Sequence, residues 1–142
     1  MRKLMCAATV AAAVVSMAMP ASAEVAERHA ELKVPGTNDV KGAATVGWDG
    51  KVWKGNVHVD AGALAPGKYV YIVLFEDVKT PFGTTTTGDS ICTFRVGAKQ
   101  HATGCRGSSH FLTEDGTWGK RNLAQVFPET GGNPNLEGLL KR

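Results

Sequence analysis

Beyond residue 23 the sequence offers no apolar run long enough to span a bilayer, no Cys-x-x-Cys, no Gly-x-Ser-x-Gly and no two histidines at metal-ligand spacing. A redox dithiol, the nucleophile elbow of a hydrolase and a histidine-rich metal centre each depend on one of these patterns. Charge of one sign is missing too. Of the 16 Lys and Arg, Arg2 and Lys3 fall in the first 23 residues, which leaves 14 against 13 Asp and Glu, a net of +1. Nucleic acid and anionic membrane surfaces need a concentrated basic patch, so neither is an expected partner. No helical stripe of apolar residues runs through the chain before its last dozen residues, and nothing in the residue inventory asks for a cofactor.

What is present begins with a leader. Arg2 and Lys3 give a basic start, and Leu4 to Met19 is uncharged and built from small and apolar residues. Pro20 ends that stretch, and Ala21-Ser22-Ala23 supplies the small-residue pattern of a signal-peptidase site. The expected cut lies after Ala23, and the apolar stretch is too short to remain as a spanning helix. A secreted, extracellular domain of residues 24–142 follows. At 119 residues it buries about two-thirds of its unfolded surface, enough for one core with little margin.

Cys6 leaves with the leader, so Cys92 and Cys105 remain as a pair in an oxidising compartment, where a disulfide is the expected outcome.

Period-2 alternation recurs along the domain with turn residues between, which predicts an all-β fold. Asp49-Gly50 sits between strand-like runs from Ala43 to Val59 and predicts a two-residue hairpin turn. With Trp48 opposite Lys51, Val46 faces Trp53 and Ala44 faces Gly55, while Lys54, Asn56 and His58 point the other way. Tyr69 to Phe75 is seven apolar or aromatic residues without a break and predicts a central strand buried on both faces. Ser90 to Val96, Thr103 to Leu112 and Arg121 to Phe127 supply further strands, with Cys105 opposite Cys92. Leu64, Pro66, Gly67 and Tyr69 form a Leu-x-Pro-Gly-x-Tyr lead into a strand. This resembles immunoglobulin-like and related sandwich domains, and the resemblance implies an antiparallel β-sandwich of about six or seven strands.

Three stretches read as loops. Thr80 to Asp89, with Pro81, Gly83, Thr84, Thr85, Thr86, Thr87 and Gly88, is expected to project as a mobile tip. Glu114 to Thr117 is a turn carrying Trp118 behind it. Residues 128–142 are expected to be loop and flexible tail. Phe127-Pro128-Glu129-Thr130-Gly131 resembles a sortase signal, but no long apolar stretch follows it.

The functional candidates come from side chains placed near turns. Trp48 and Trp118 flank turns, where aromatic faces stack on sugars or anchor proteins. With the threonines 84–87 they predict a non-catalytic binding module for an extracellular glycan or protein, the binding groups gathered at one end of the fold. Lys99 and Arg106, in and beside the disulfide-bordered loop from Gly97 to Gly104, offer the alternative of a secreted inhibitor or toxin-like effector. A second alternative is a small hydrolase or metal-dependent enzyme. His58 and Asp60 share a strand face and His110 is their weak third partner, a set that requires the three side chains to lie close together.

Overall fold

The computed structural model describes residues 27–142, so the expected leader, residues 1–23, lies outside the described residues. The described chain is all β, without helices. Its strands are β1 (Glu27–Lys33), β2 (Val40–Trp48), β3 (Trp53–Val59), β4 (Gly67–Thr80), β5 (Gly83–Val96), β6 (Thr103–Ser109), β7 (Arg121–Pro128) and β8 (Leu136–Leu139). All pairings are antiparallel, in the order β5-β4-β7-β8-β1-β2-β3-β6. The two edge strands of this sheet meet at the Cys92–Cys105 disulfide, whose Cα atoms are 6.0 Å apart. The sheet therefore curls into a near-barrel of eight strands, where the sequence predicted a sandwich of six or seven. The local feature behind that expectation is present: the Tyr69 hydroxyl donates to the Ala65 carbonyl at 2.7 Å, the corner hydrogen bond found in such domains.

Two expectations fail for one reason, the closing of the sheet. Residues 128–142 were expected to be loop and tail. Instead β8 lies between β7 and β1, its Leu136 is fully buried, and Lys141 exchanges two backbone hydrogen bonds of 2.8 Å with His29. β4 is a central strand, but it is buried on one face only. Tyr69, Tyr71, Val73 and Phe75 point inward, while Val70, Ile72 and Leu74 are half-buried on the outside. A closed sheet has a single interior, so the outward residues rely on strand neighbours: Leu74 stands beside Leu123, and Leu123 beside Leu139.

The interior is filled from every wall. Leu32, Val46, Trp53, Val59, Val73, Val126 and Leu136 are almost completely shielded. β4 and β2 stand on opposite walls, and the Tyr71 hydroxyl spans the lumen to donate to the Thr45 carbonyl at 3.0 Å. Burial pushes that phenol well above its ordinary range, so it stays protonated and remains a donor.

No backbone ladder joins β5 to β6 among the described residues. Side chains close the seam: the disulfide in the middle, Ser109 donating to the Asp89 carboxylate at one end, and Thr103 Oγ1 facing the Arg95 carbonyl at 3.5 Å at the other. Gly107 lets the strands approach, because a Cβ there would run into the Ile91 carbonyl oxygen.

The β2–β3 hairpin keeps its predicted faces but not its predicted turn. Trp48 pairs with Trp53, so the connection has four residues, and Val46 pairs with Gly55, Ala44 with Val57. The register moves by two, which leaves every side chain on its expected face. The longer turn is held by Asp49, whose Oδ1 accepts from Lys51 N at 2.8 Å and Val52 N at 2.9 Å while Lys54 Nζ sits 3.1 Å from Oδ2. These bonds, led by the Val52 and Lys51 amides, hold the Asp49 carboxyl at about 2.

Two outcomes test this description. Replacing both Cys92 and Cys105 with Ser is expected to lower the unfolding free energy by about 3 kcal/mol, measured by urea denaturation at neutral pH. The depressed Asp49 pKa makes its contribution complete above the ordinary aspartate range near about 4 and removes it as pH falls through about 2. The difference in melting temperature between the wild type and Asp49→Asn is therefore expected to shrink over that window.

Candidate functional site

The strand directions bring one set of connections to the same end of the barrel: the 49–52 turn, the outer part of the β4–β5 hairpin and the β6–β7 loop. Trp48, Trp118 and Thr84 to Thr87 all belong to this end. Lys99 lies in the β5–β6 turn at the opposite end, and Arg106 is an exposed mid-strand residue on β6 beside Asn56. The sheet does not bring these two cations to the tryptophans.

Inside this end, the aromatics form a plug. Trp53 is fully buried, with its ring centroid 4.9 Å from Phe75, 4.8 Å from Trp118 and 5.3 Å from Trp48. Its indole N–H donates to Thr113, to the carbonyl at 3.1 Å and the hydroxyl at 3.2 Å. Gly116 lies so close over Trp48 that a Cβ would sit 2.6 Å from the indole Cδ1, and its φ of 84° is one that glycine adopts most readily. Trp118 is set in place from below. The buried Asn122 side chain binds both backbone groups of Gly119, at 2.9 and 3.0 Å, and Lys120 N donates to the Glu76 carbonyl at 2.8 Å. Arg28 then covers Trp118, with Cζ 4.2 Å from the ring centroid. Both Trp48 and Trp118 are thus half-buried packing groups rather than open stacking faces.

Outside the plug, the structure differs most from the reading of Thr80 to Asp89 as a mobile loop. β4 and β5 are both 14 residues long, and they pair out to Thr80 and Gly83, leaving only Pro81 and Phe82 in the turn. Thr84 to Thr87 are strand residues; β-branched threonine suits an exposed pleated ribbon. The Thr80 side chain ties the tip by donating to the Gly83 carbonyl at 2.9 Å and accepting from Phe82 N at 3.1 Å.

Phe82, at this tip, is 98 % exposed, and Phe111, on the β6–β7 loop, is 77 % exposed. The Thr87 hydroxyl donates to the Phe111 carbonyl at 3.3 Å and so ties the loop to the hairpin. Between hairpin and loop lies a cleft of about 480 Å³ with Thr80, Thr85 and Thr87 on the hairpin side and Thr113, Glu114 and Asp115 on the loop side. Hydrogen bonds from the Thr117 hydroxyl and amide hold the Asp115 carboxyl below its usual range, so it is charged at neutral pH. Hydroxyls, two carboxylates and two exposed rings can hold a ligand by hydrogen bonds and apolar contact. Sequence reasoning missed both phenylalanines. The usable signal was Phe82 between Pro81 and Gly83, an aromatic with no route back to a core.

His58 and Asp60 do approach, Nε2 to Oδ1 at 3.8 Å, both exposed. His110 does not join them. His58 pairs with Gly104, and the six residues from there to His110 cover about 20 Å at the strand rise. No group of three His, Cys, Asp or Glu fit to hold a metal occurs among the described residues.

The chain matches no protein-family model, no curated protein and no solved structure.

The two kinds of aromatic separate by experiment. Trp48→Ala and Trp118→Ala are each expected to lower stability by about 2–4 kcal/mol, because they open space in a packed cluster. Phe82→Ser and Phe111→Ser are expected to stay within about 0.5 kcal/mol of the wild type, as surface changes do, in thermal denaturation followed by tryptophan fluorescence.

Proposed function

We propose that this protein is an exported, non-catalytic binding module that holds a glycan or protein ligand between the β4–β5 hairpin and the β6–β7 loop. The observation that carries this reading is the pair of exposed phenylalanines, Phe82 and Phe111, flanking a threonine-lined cleft at one end of the barrel. Exposed apolar rings gain most when a partner removes them from water, and aromatic side chains lose little rotamer freedom in doing so. The base on which they stand is rigid. The hairpin grows out of β4 and β5 just beyond Phe75, which is packed in the tryptophan plug, so little ordering is left for the moment of binding. The leader of residues 1–23 and the disulfide fit an exported protein, and the scatter of the histidines favours binding over catalysis.

The test uses the oxidised domain, residues 24–142, against peptidoglycan, chitin, cellulose, soluble glycans and isolated envelope proteins. Binding is expected to saturate with at least one of these and to weaken at least tenfold in the Phe82→Ser, Phe111→Ser double variant, with melting temperature unchanged. Binding that ignores the double change, or no saturable binding to any of them, overturns the reading.

A further inference from the structure

The β4–β5 hairpin leaves the barrel with two open edges, and only one is guarded. β7 pairs with β4 as far as Glu76, and β6 ends at Ser109, so Val78–Thr80 on one side and Gly83–Thr87 on the other have no neighbouring strand but each other. An open edge recruits further strands unless charge, proline or a bulge blunts it. The β4 edge has two such guards: a register shift between Phe75 and Val78, with Asp77 at φ 56°, and Lys79. The β5 edge, Gly83-Thr84-Thr85-Thr86-Thr87-Gly88, has neither charge nor proline.

Direction matters as well as exposure. Bonded and non-bonded pairs alternate along an antiparallel ladder. The hairpin closes on the Thr80–Gly83 pair, so the backbone groups of Thr84 and Thr86 point away from β4. Neither residue makes a backbone hydrogen bond beyond the strand ladders among the described residues. Phe82 stands at one end of this edge and Phe111, tied to Thr87, at the other.

We propose that the β5 edge from Thr84 to Gly88 receives an extended peptide segment of a partner protein, added as a strand in the line that β6 leaves at Ser109, with a Lys or Arg reaching Glu114 or Asp115. The inference rests on the binding-module reading and names its ligand class. Strand addition draws affinity from main-chain hydrogen bonds and selectivity from side-chain contacts. Here the exposed rings provide apolar contact, and the acids provide charge selection. Glu114 and Asp115 are exposed and make no ion pair among the described residues. A second copy of this chain fits less well, since the edge it would offer, Gly83 to Gly88, carries no Lys or Arg for these acids to meet.

The probes are two synthetic ten-residue peptides of alternating Val and Thr, one with two lysines and the other with two glutamates in the same places. Titration into the ¹⁵N-labelled domain, read by amide shifts, is expected to move Thr84, Thr86 and Gly88 with the lysine peptide, at least tenfold more tightly than with the glutamate peptide. Thr86→Pro is expected to abolish the response without unfolding the domain, because it removes an outward donor and no hairpin bond. The Glu114→Lys, Asp115→Lys variant is expected to reverse the peptide preference. No saturable shift, equal response to both peptides, or a response that survives Thr86→Pro overturns the proposal, as does self-association of the free domain through this edge in sedimentation. Glycan binding that needs Phe82 and Phe111 but ignores Thr86→Pro overturns it while leaving the binding-module reading in place.

Discussion

An eight-stranded sheet with free β5 and β6 edges would expose two long rows of unpaired amides and an apolar face with nothing to cover it. In this chain the two edges are held together by the Cys92–Cys105 bond and its flanking contacts, without a hydrogen-bonded ladder. The core depends on that closure. Val46 on β2 and Val73 on β4 are shielded because opposite walls face each other across a lumen, and Tyr71 reaches Thr45 only because the sheet has curled far enough to bring them together. A domain of this size has a small margin of stability, so one covalent constraint at the seam is a large part of what separates the closed sheet from an open one.

The second dependence runs from the interior to the candidate site. Trp53 holds Thr113, Gly116 rests on Trp48, and Asn122 fixes the turn that carries Trp118. Together they convert the β6–β7 loop, which has no regular structure of its own, into a wall with a defined position. The hairpin opposite needs no such support, since it is a continuation of two barrel strands. The cleft is therefore bounded by one element that is rigid by hydrogen-bonded pairing and another that is rigid by packing.

Much of the fold was legible in the residues. Alternation marked β2, β3 and the later part of β5, an unbroken apolar run marked β4, Thr103 to Leu112 and Arg121 to Phe127 stood out as further strands, the cysteine pair marked the disulfide, and Leu64 to Tyr69 marked the lead into β4. Other features were hidden for identifiable reasons. Leu136 to Leu139 is four residues with a glycine, too short for any period to show, and only the gap between β7 and β1 gives it a strand's role. The Asp49-Gly50 dipeptide suggested a two-residue turn, but the Asp49 carboxylate gathers two further amides and stabilises a longer one. The threonine run was read by polarity as a loop, although its β-branching favoured a strand. At the candidate site, Trp48, Trp118 and the threonines lie at one end of the barrel, as the turns beside them suggested. Exposure could not be read that way: the tryptophans faced a core that pattern alone does not locate, and the two phenylalanines that stayed outside drew no notice.

β8 has a consequence for the order of events in folding. It lies between β7 and β1, so residues 136–141 must meet residues 27–33 before the two groups of strands, β5-β4-β7 and β1-β2-β3-β6, become one sheet. That contact spans more than a hundred residues of chain, among the costliest loop closures the sequence permits. Until residues 136–141 dock, the Cys92–Cys105 seam is all that ties the two groups together, and no hydrogen-bonded ladder runs between them. A short strand with little apolar surface of its own is thus what turns two antiparallel groups into one continuous hydrogen-bonded sheet.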